Sequence, residues 1–189
     1  MNKDIIFFWI QWSGKWTQAN IFLDEHKNFK YLEPGNIFRA LSSNKNLISD
    51  YVTSRIQAGK LVEDKLVFGI FDLCTSLLEW EEFLLLDGFP RNLAQKDYFI
   101  QQWNKLWRDF IAVNFNLSRE KAIERIQKRA IDQWRADDAK AEVIAKRLDT
   151  FEQETLPIIE AFEKDWKLIT IDADQTIETI YNELLSKLN

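Results

Sequence analysis

The sequence predicts an α/β fold, a five-stranded parallel sheet covered by helices on both faces, and three observations predict it. Apolar runs of strand length recur at residues 4–8, 29–32, 83–86, near 110–115, and at 168–171. Helical patterns separate each run from the next. The run at 83–86 stops at Asp87-Gly88-Phe89-Pro90, a strong breaker that puts a carboxylate where α/β sheets bind ligands.

The elements follow in order. Asp4 leads directly into Ile5-Ile6-Phe7-Phe8, a poor secretory leader and a good first strand. Ser13-Gly14-Lys15 then opens a helix to about residue 25. After strand 29–32, Pro34-Gly35 punctuates the chain, and helical patterns run over 37–41 and 47–58, with Gly59 as a C-cap signal. A largely apolar helix covers 64–78. A further helix runs to about 102 before strand 110–115. Ser118 is a suitable N-cap for a helix to about 131. One longer helix covers about 139–164, and an amphipathic helix over 175–188 follows the last strand. With 189 residues, no repeat and no linker, one domain is expected.

Composition narrows the function classes. The longest apolar runs are strand-sized, so no membrane span is expected. A net charge of −5 argues against a nucleic-acid backbone as partner, because that affinity rests on clustered Lys and Arg. The single cysteine, Cys74, excludes an internal disulfide and reads as a buried core thiol. His26 reads as a solvated loop residue. Both suit a reducing, cytoplasmic setting. Two counts are unusual: five glycines where about 13 are usual for this length, and eight tryptophans.

Three constellations carry possible chemistry. After the first strand come Gly14-Lys15 and Thr17 at a helix start, where backbone N–H groups, a lysine and a hydroxyl can hold phosphates and Mg²⁺. Taken alone, this suits an ordinary turn lysine better. The segment Asp87 to Arg91 is more informative: Asp87 can hold Mg²⁺ through water, and Arg91 can grip a phosphate with two prongs. Arg125 and Arg129 share one helix face, and Arg135 and Arg147 follow. Converging guanidiniums stabilise phosphoryl transfer; spacing alone leaves equally open a solvated face paired with Glu124, Asp137 and Asp138.

Taken together, these residues resemble adenylate kinase over nearly the whole chain. The segments are Lys15-x-Thr17-Gln18-Ala19, Gly35-x-x-x-Arg39, Ala58 to Val62, Asp87-Gly88-Phe89-Pro90-Arg91-x-x-x-Gln95, Arg135-x-Asp137-Asp138 and Arg147-Leu148, in the family's order and spacing. The resemblance implies a phosphate-loop kinase fold in which Mg²⁺-dependent transfer from ATP to AMP gives two ADP. It implies an ATP side at Gly14, Lys15, Trp16, Thr17, Arg125 and Gln175, with Mg²⁺ near Thr17 and Asp87. It implies an AMP side at Gly35, Arg39, Val62, Gly88, Arg91 and Gln95, and Gln95 favours adenine over UMP or CMP. Lys15, Arg91, Arg125, Arg129, Arg135 and Arg147 match the residues around the moving phosphoryl group. The implied organisation is a core at 1–32, 63–129 and 136–189, an AMP-binding insertion at about 33–62, and a short lid at about 130–135. A monomer is expected.

The chain also departs from the family. Relatives read Gly-x-x-Gly-x-Gly-Lys-Gly-Thr where this chain reads Trp9-Ile10-Gln11-Trp12-Ser13-Gly14-Lys15-Trp16-Thr17. Trp134 stands where relatives often have glycine, and Pro34 where they commonly have threonine. Four tryptophans at glycine positions account for both unusual counts, and engineered substitution is the reading that joins them. The loop rings are expected to project into ligand space, leaving the fold intact and the activity crippled. The rival expectations are a variant that binds AMP weakly but not ATP, and one that folds and binds neither.

Overall fold

The computed structural model describes residues 2–10, 15–58, 60–125 and 141–188. Five parallel strands form one sheet in the order β2-β3-β1-β4-β5: β1 Asp4–Trp9, β2 Phe29–Leu32, β3 Phe83–Asp87, β4 Phe110–Asn116 and β5 Leu168–Asp172. The helices are α1 Lys15–Glu25, α2 Pro34–Ser42, α3 Ser49–Gln57, α4 Asp64–Ser76, α5 Leu93–Leu106, α6 (119–125), α7 Ala141–Thr150, α8 Leu156–Lys164 and α9 Ile177–Leu188. Each predicted strand is present and each boundary lies within one or two residues of the pattern. The expected helix past 125 and the C-cap at Gly59 lie outside the described residues.

The apolar runs are continuous because both faces of each central strand are covered. Alternate side chains of β1 sort the core in two. Ile5, Phe7 and Trp9 pack with Ala19 and Phe22 of α1, Ala122 of α6, Leu148 of α7 and Ile180 and Leu184 of α9. Ile6 and Phe8 pack with Phe38, Val52, Phe71, Phe99 and Trp103 of α2 to α5, and with Ile158 and Phe162 of α8. The N-terminal edge of the sheet is pinned by Asp4. Its buried carboxylate accepts two bonds from Arg108, at 2.8 and 2.7 Å, and one each from Trp103 Nε1 and the Leu84 N–H. A buried charge this fully bonded avoids the cost of an unpaired one.

Three sequence expectations are corrected. The single helix over 139–164 is split by a π-helical turn, Phe151–Thr155, where Leu156 N–H reaches back to Phe151 O. Pro157 has no N–H to continue the ordinary ladder, so the turn widens and a new helix starts. His26 is half-buried and held: its ring stacks on Phe22 at 4.2 Å, and Nδ1 lies 2.9 Å from Phe22 O. Cys74 is only half-buried, since Leu73 and Leu77 beside it face water; burial still raises its thiol pKa.

Candidate active site

Strands β1 and β3 are neighbours, with Phe7 opposite Asp87. The connection after β1 leads toward β2, and the one after β3 leads the other way, to β4. Between two such strands the crevice at their C-terminal ends is the natural ligand site of an open parallel sheet. β1 ends at Trp9 at that edge, and Asp87-Gly88 leaves β3 beside it.

The β3 side is a bonded cradle. Gly88 has φ +68°, a left-handed conformation that suits glycine. A Cβ there would come within 2.5 Å of Arg91 Nη2, so the guanidinium lies directly over the bare backbone. Arg91 Nε donates to Gly88 O at 2.7 Å, folding the side chain back over the turn. Asn92 caps α5 by accepting from Gln95 N–H at 2.8 Å. Gln95 is buried and engaged at both ends: Oε1 accepts from Arg91 N–H at 2.8 Å, and Nε2 donates to Asp64 Oδ1 at 2.7 Å. Asn92 Nδ2 donates to the same Asp64 oxygen. Thr155, in the π turn, donates from Oγ1 to Arg91 O at 3.1 Å.

The end of β2 joins this cradle through one phenol. Tyr31 lies 2.7 Å from Asp87 Oδ2 and 3.0 Å from Glu33 Oε2. Burial, and then the Asp87 charge, raise the Tyr31 pKa well above its ordinary value, which keeps the proton on the phenol that donates to these carboxylates. Glu33 in turn accepts from Arg39 Nη2 at 2.7 Å, and Arg39 also donates to Asn36. Gly35 lets the Arg39 side chain pass, because a Cβ there would meet Nη1 at 3.3 Å. Val62 is half-buried against the second core, at the far end of the α2–α3 excursion.

The β1 side is organised differently. Trp9 is buried, stacked on Phe115 at 3.4 Å and edge-on to Phe7. It therefore enters the core instead of ligand space, which corrects the expectation for this ring. The cause is strand alternation: position 9 points to the same face as Phe7. Its Nε1 is buried with no hydrogen-bond partner among the described residues, as is Gln18 Oε1, although Gln18 Nε2 donates to Ile177 O at 2.8 Å. Trp16 is half-exposed and stacks on Tyr31 at 5.8 Å. Thr17 is half-buried in the first turn of α1. On α6, Arg125 Nη2 donates to Ala173 O at 2.8 Å and pairs with Asp174. Gln175 donates to Asp172 O and Glu183, beside that arginine. Trp12, Gly14, Arg129, Trp134 and Arg135, with the side chains of Lys15 and Arg147, lie outside the described residues.

The family model for adenylate kinase matches this chain over residues 11–167, a stretch that includes the Asp87-Gly88-Phe89-Pro90-Arg91 turn. The chain belongs to the adenylate kinase family. It is 33% identical over 180 residues to the adenylate kinase of Bifidobacterium longum, covering 93% of this chain and 94% of that one. It is 30% identical to the adenylate kinase of a Synechococcus species over the full length of both chains. It is 29% identical to that of Oenococcus oeni, over 97% of this chain and 96% of the other. The family is one of phosphotransferases, and the fold is its phosphate-loop α/β type. Among the described residues no helix is long and apolar enough to cross a membrane.

Sequence reasoning missed Tyr31, Glu33, Asp64 and Thr155 as parts of the site. A signal existed for two of them. Tyr31 and Glu33 are two apart at a strand end, so they share a face. The pattern Asn92-x-x-Gln95 resembles a capping pair and hinted that Gln95 would turn back on the helix start. Asp64 and Thr155 come from elements distant in sequence, and only packing brings them in.

Proposed function

We propose that this chain transfers the γ-phosphoryl group of ATP to AMP, giving two ADP, at a rate crippled by Trp9, Trp12 and Trp16. The observation that carries the reading is the bonded cradle Gly88–Arg91–Gln95–Asp64 at the C-terminal edge of β3, set beside the end of β1. In this reading Arg39 and Arg91 hold the AMP phosphate, and Gly35, Val62, Gly88 and Gln95 border the nucleotide. Segment 33–62 is the AMP-binding insertion, and 130–135 is the lid. Gly14, Lys15, Trp16, Thr17, Arg125 and Gln175 serve ATP. Lys15, Arg125, Arg129, Arg135 and Arg147 stabilise the charge that spreads over the moving phosphoryl oxygens. Arg39 must exchange Glu33 for the incoming phosphate, a trade of one charge-assisted bond for another.

The Thr17 hydroxyl and the Asp87 carboxylate are hard oxygen donors, the chemistry Mg²⁺ prefers, and one or two such groups suffice when phosphates and water complete the shell. Bound there through water, Mg²⁺ would neutralise phosphate charge. The Tyr31 hydroxyl keeps Asp87 oriented for this role. The enzyme is proposed to act as a cytoplasmic monomer.

One observation favours a second, non-catalytic reading, in which AMP binds weakly and ATP does not. The cradle holds Gln95 at both ends and Arg91 through its N–H and Nε, whereas among the described residues the β1 side carries two buried atoms with no hydrogen-bond partner, Trp9 Nε1 and Gln18 Oε1. Separate calorimetric titrations with AMP and ATP, together with a coupled assay of ADP formation, decide between them. ADP formation requiring Mg²⁺ and both nucleotides establishes the first reading; AMP heat without ATP heat or turnover establishes the second. Heat from neither nucleotide defeats both.

A further inference from the structure

Seven of the eight tryptophans fall into two kinds. Trp103 behaves as a tryptophan should. It is 1% exposed, its Nε1 donates to Asp4 at 2.9 Å, and it packs on Phe71 and Phe99. Trp107 and Trp166 behave otherwise. They are 95% and 93% exposed, their rings covering almost nothing. Their φ angles are +53° and +56°, and they are the non-glycine residues at positive φ among the described residues. Trp107 ends α5 as a left-handed cap, the helix-stop position where glycine is usual and a large side chain is strained. Trp166 follows α8 in the same conformation, its N–H bonded to Glu163 O.

The β1 side repeats the pattern. Trp9 buries an indole N–H that finds no acceptor among the described residues, whereas buried tryptophans usually satisfy it. Trp16 lies half-exposed at the first turn of α1. In the adenylate kinase pattern that this chain resembles, positions 9, 12 and 16 are glycine and position 134 often is. Two independent criteria, backbone conformation at the far edge of the sheet and loop pattern at the active edge, thus pick out the same substitution.

We infer that positions 9, 12, 16, 107, 134 and 166 are glycine in the working protein, because its gene carries codons there that its own cell decodes as glycine. One codon supplies the ambiguity: UGA, which different translation systems read as stop, as tryptophan or as glycine. Trp103, with its buried and bonded ring, is encoded by the ordinary tryptophan codon UGG. Trp80, exposed in the turn before β3, has no such backbone signature and is left unassigned. The consequence is functional. The loop after β1 regains its bare backbone, so N–H groups can approach phosphate oxygens directly. The low glycine count and the high tryptophan count then share one cause, with no engineering needed.

The inference rests on family membership at positions 9, 12, 16 and 134, and stands without it at 107 and 166. The experiment is peptide mapping by mass spectrometry of the protein from its own cells, with the codons read from the gene. Expected are UGA codons and glycine-containing peptides at the six positions, with UGG and tryptophan at 103. Tryptophan in the peptides at 107 and 166 overturns the inference. A recombinant series checks the conformational premise away from the active edge. Trp107→Gly and Trp166→Gly should each raise Tm by roughly 2–4 °C, while Trp103→Gly should lower it by roughly 10 °C or abolish the cooperative melt. Loss of Tm in the first two variants defeats the premise. The outcome is separable from the kinase reading: glycine peptides with an inert six-glycine chain keep this inference and defeat that reading, and tryptophan peptides with an active six-glycine chain do the reverse.

Discussion

Two adjacent strands end at the same edge of this sheet, and the described residues around their ends pack in opposite ways. After β3, Gly88 at φ +68° leaves backbone exposed, and the Arg91 guanidinium lies in the space a side chain would fill. After β1, Trp9 sits in the core against Phe115 and Trp16 lies against Tyr31. The turn after β3 keeps its polar groups bonded through Asn92, Gln95 and Asp64; beside the end of β1, the Trp9 indole N–H and the Gln18 oxygen have no partner among the described residues. The difference teaches that a strand-end turn handles an anion through what is absent from it. A core can absorb an indole ring, but a phosphate nest cannot, because its donors are backbone groups that a side chain keeps at a distance.

The largest expected effect tests that difference directly. Replacing Trp9, Trp12 and Trp16 together by glycine restores two or three charge-assisted bonds, each about 1.5–3 kcal/mol. Turnover in a coupled ADP assay should rise about a hundredfold to a millionfold. A rise of less than about tenfold would mean that the rings do not obstruct phosphate binding, on that same scale of one decade per 1.4 kcal/mol.

On the cradle side, Arg91→Ala removes the guanidinium lying over Gly88, and AMP affinity should fall by about a hundredfold to ten-thousandfold, given about 1.5–3 kcal/mol per charged bond and two prongs. Isothermal calorimetry reads this, and equal AMP heats for both forms would show that the cradle is not the AMP site.

Tyr31→Phe should act on both turns, since the phenol meets Asp87 and Glu33 while its ring stacks on Trp16. A loss of about 1–2 kcal/mol in stability is expected from a buried acceptor left short of its donor. The raised Tyr31 pKa adds a pH signature. The folded state favours the neutral phenol, so this contribution is fully present below the unfolded value of about 10 and declines as pH rises above it. Urea midpoints between neutral pH and pH about 11 should fall more steeply for the parent chain than for Tyr31→Phe; parallel curves would show that the phenol is not held neutral by the fold.

The smallest effect concerns Pro34, buried at the start of α2. Pro34→Thr supplies one neutral hydroxyl near Arg39, and AMP affinity should rise about fivefold, as one hydrogen bond of about 1 kcal/mol implies. An unchanged titration would place the AMP phosphate away from α2.

By itself, the sequence determined the sheet and singled out Gly88, Arg91 and Gln95, which the structure brings together after β3. Continuous apolar runs such as Phe83 to Leu86 can be satisfied only by cover on both faces, and Asp87-Gly88-Phe89-Pro90 must end the strand where ligands bind. Such signals are local and need no knowledge of the rest of the chain. Tertiary structure alone decided that Asp64 on α4 and Thr155 in a π turn would meet the Arg91–Gln95 turn, 31 and 64 residues away along the chain. It also decided that Trp9 would enter the core, that His26 would stack on Phe22, and that the helix over 139–164 would widen before Pro157. Each of these depends on which elements pack together, and hydrophobic periodicity records only that a face is buried, not what buries it.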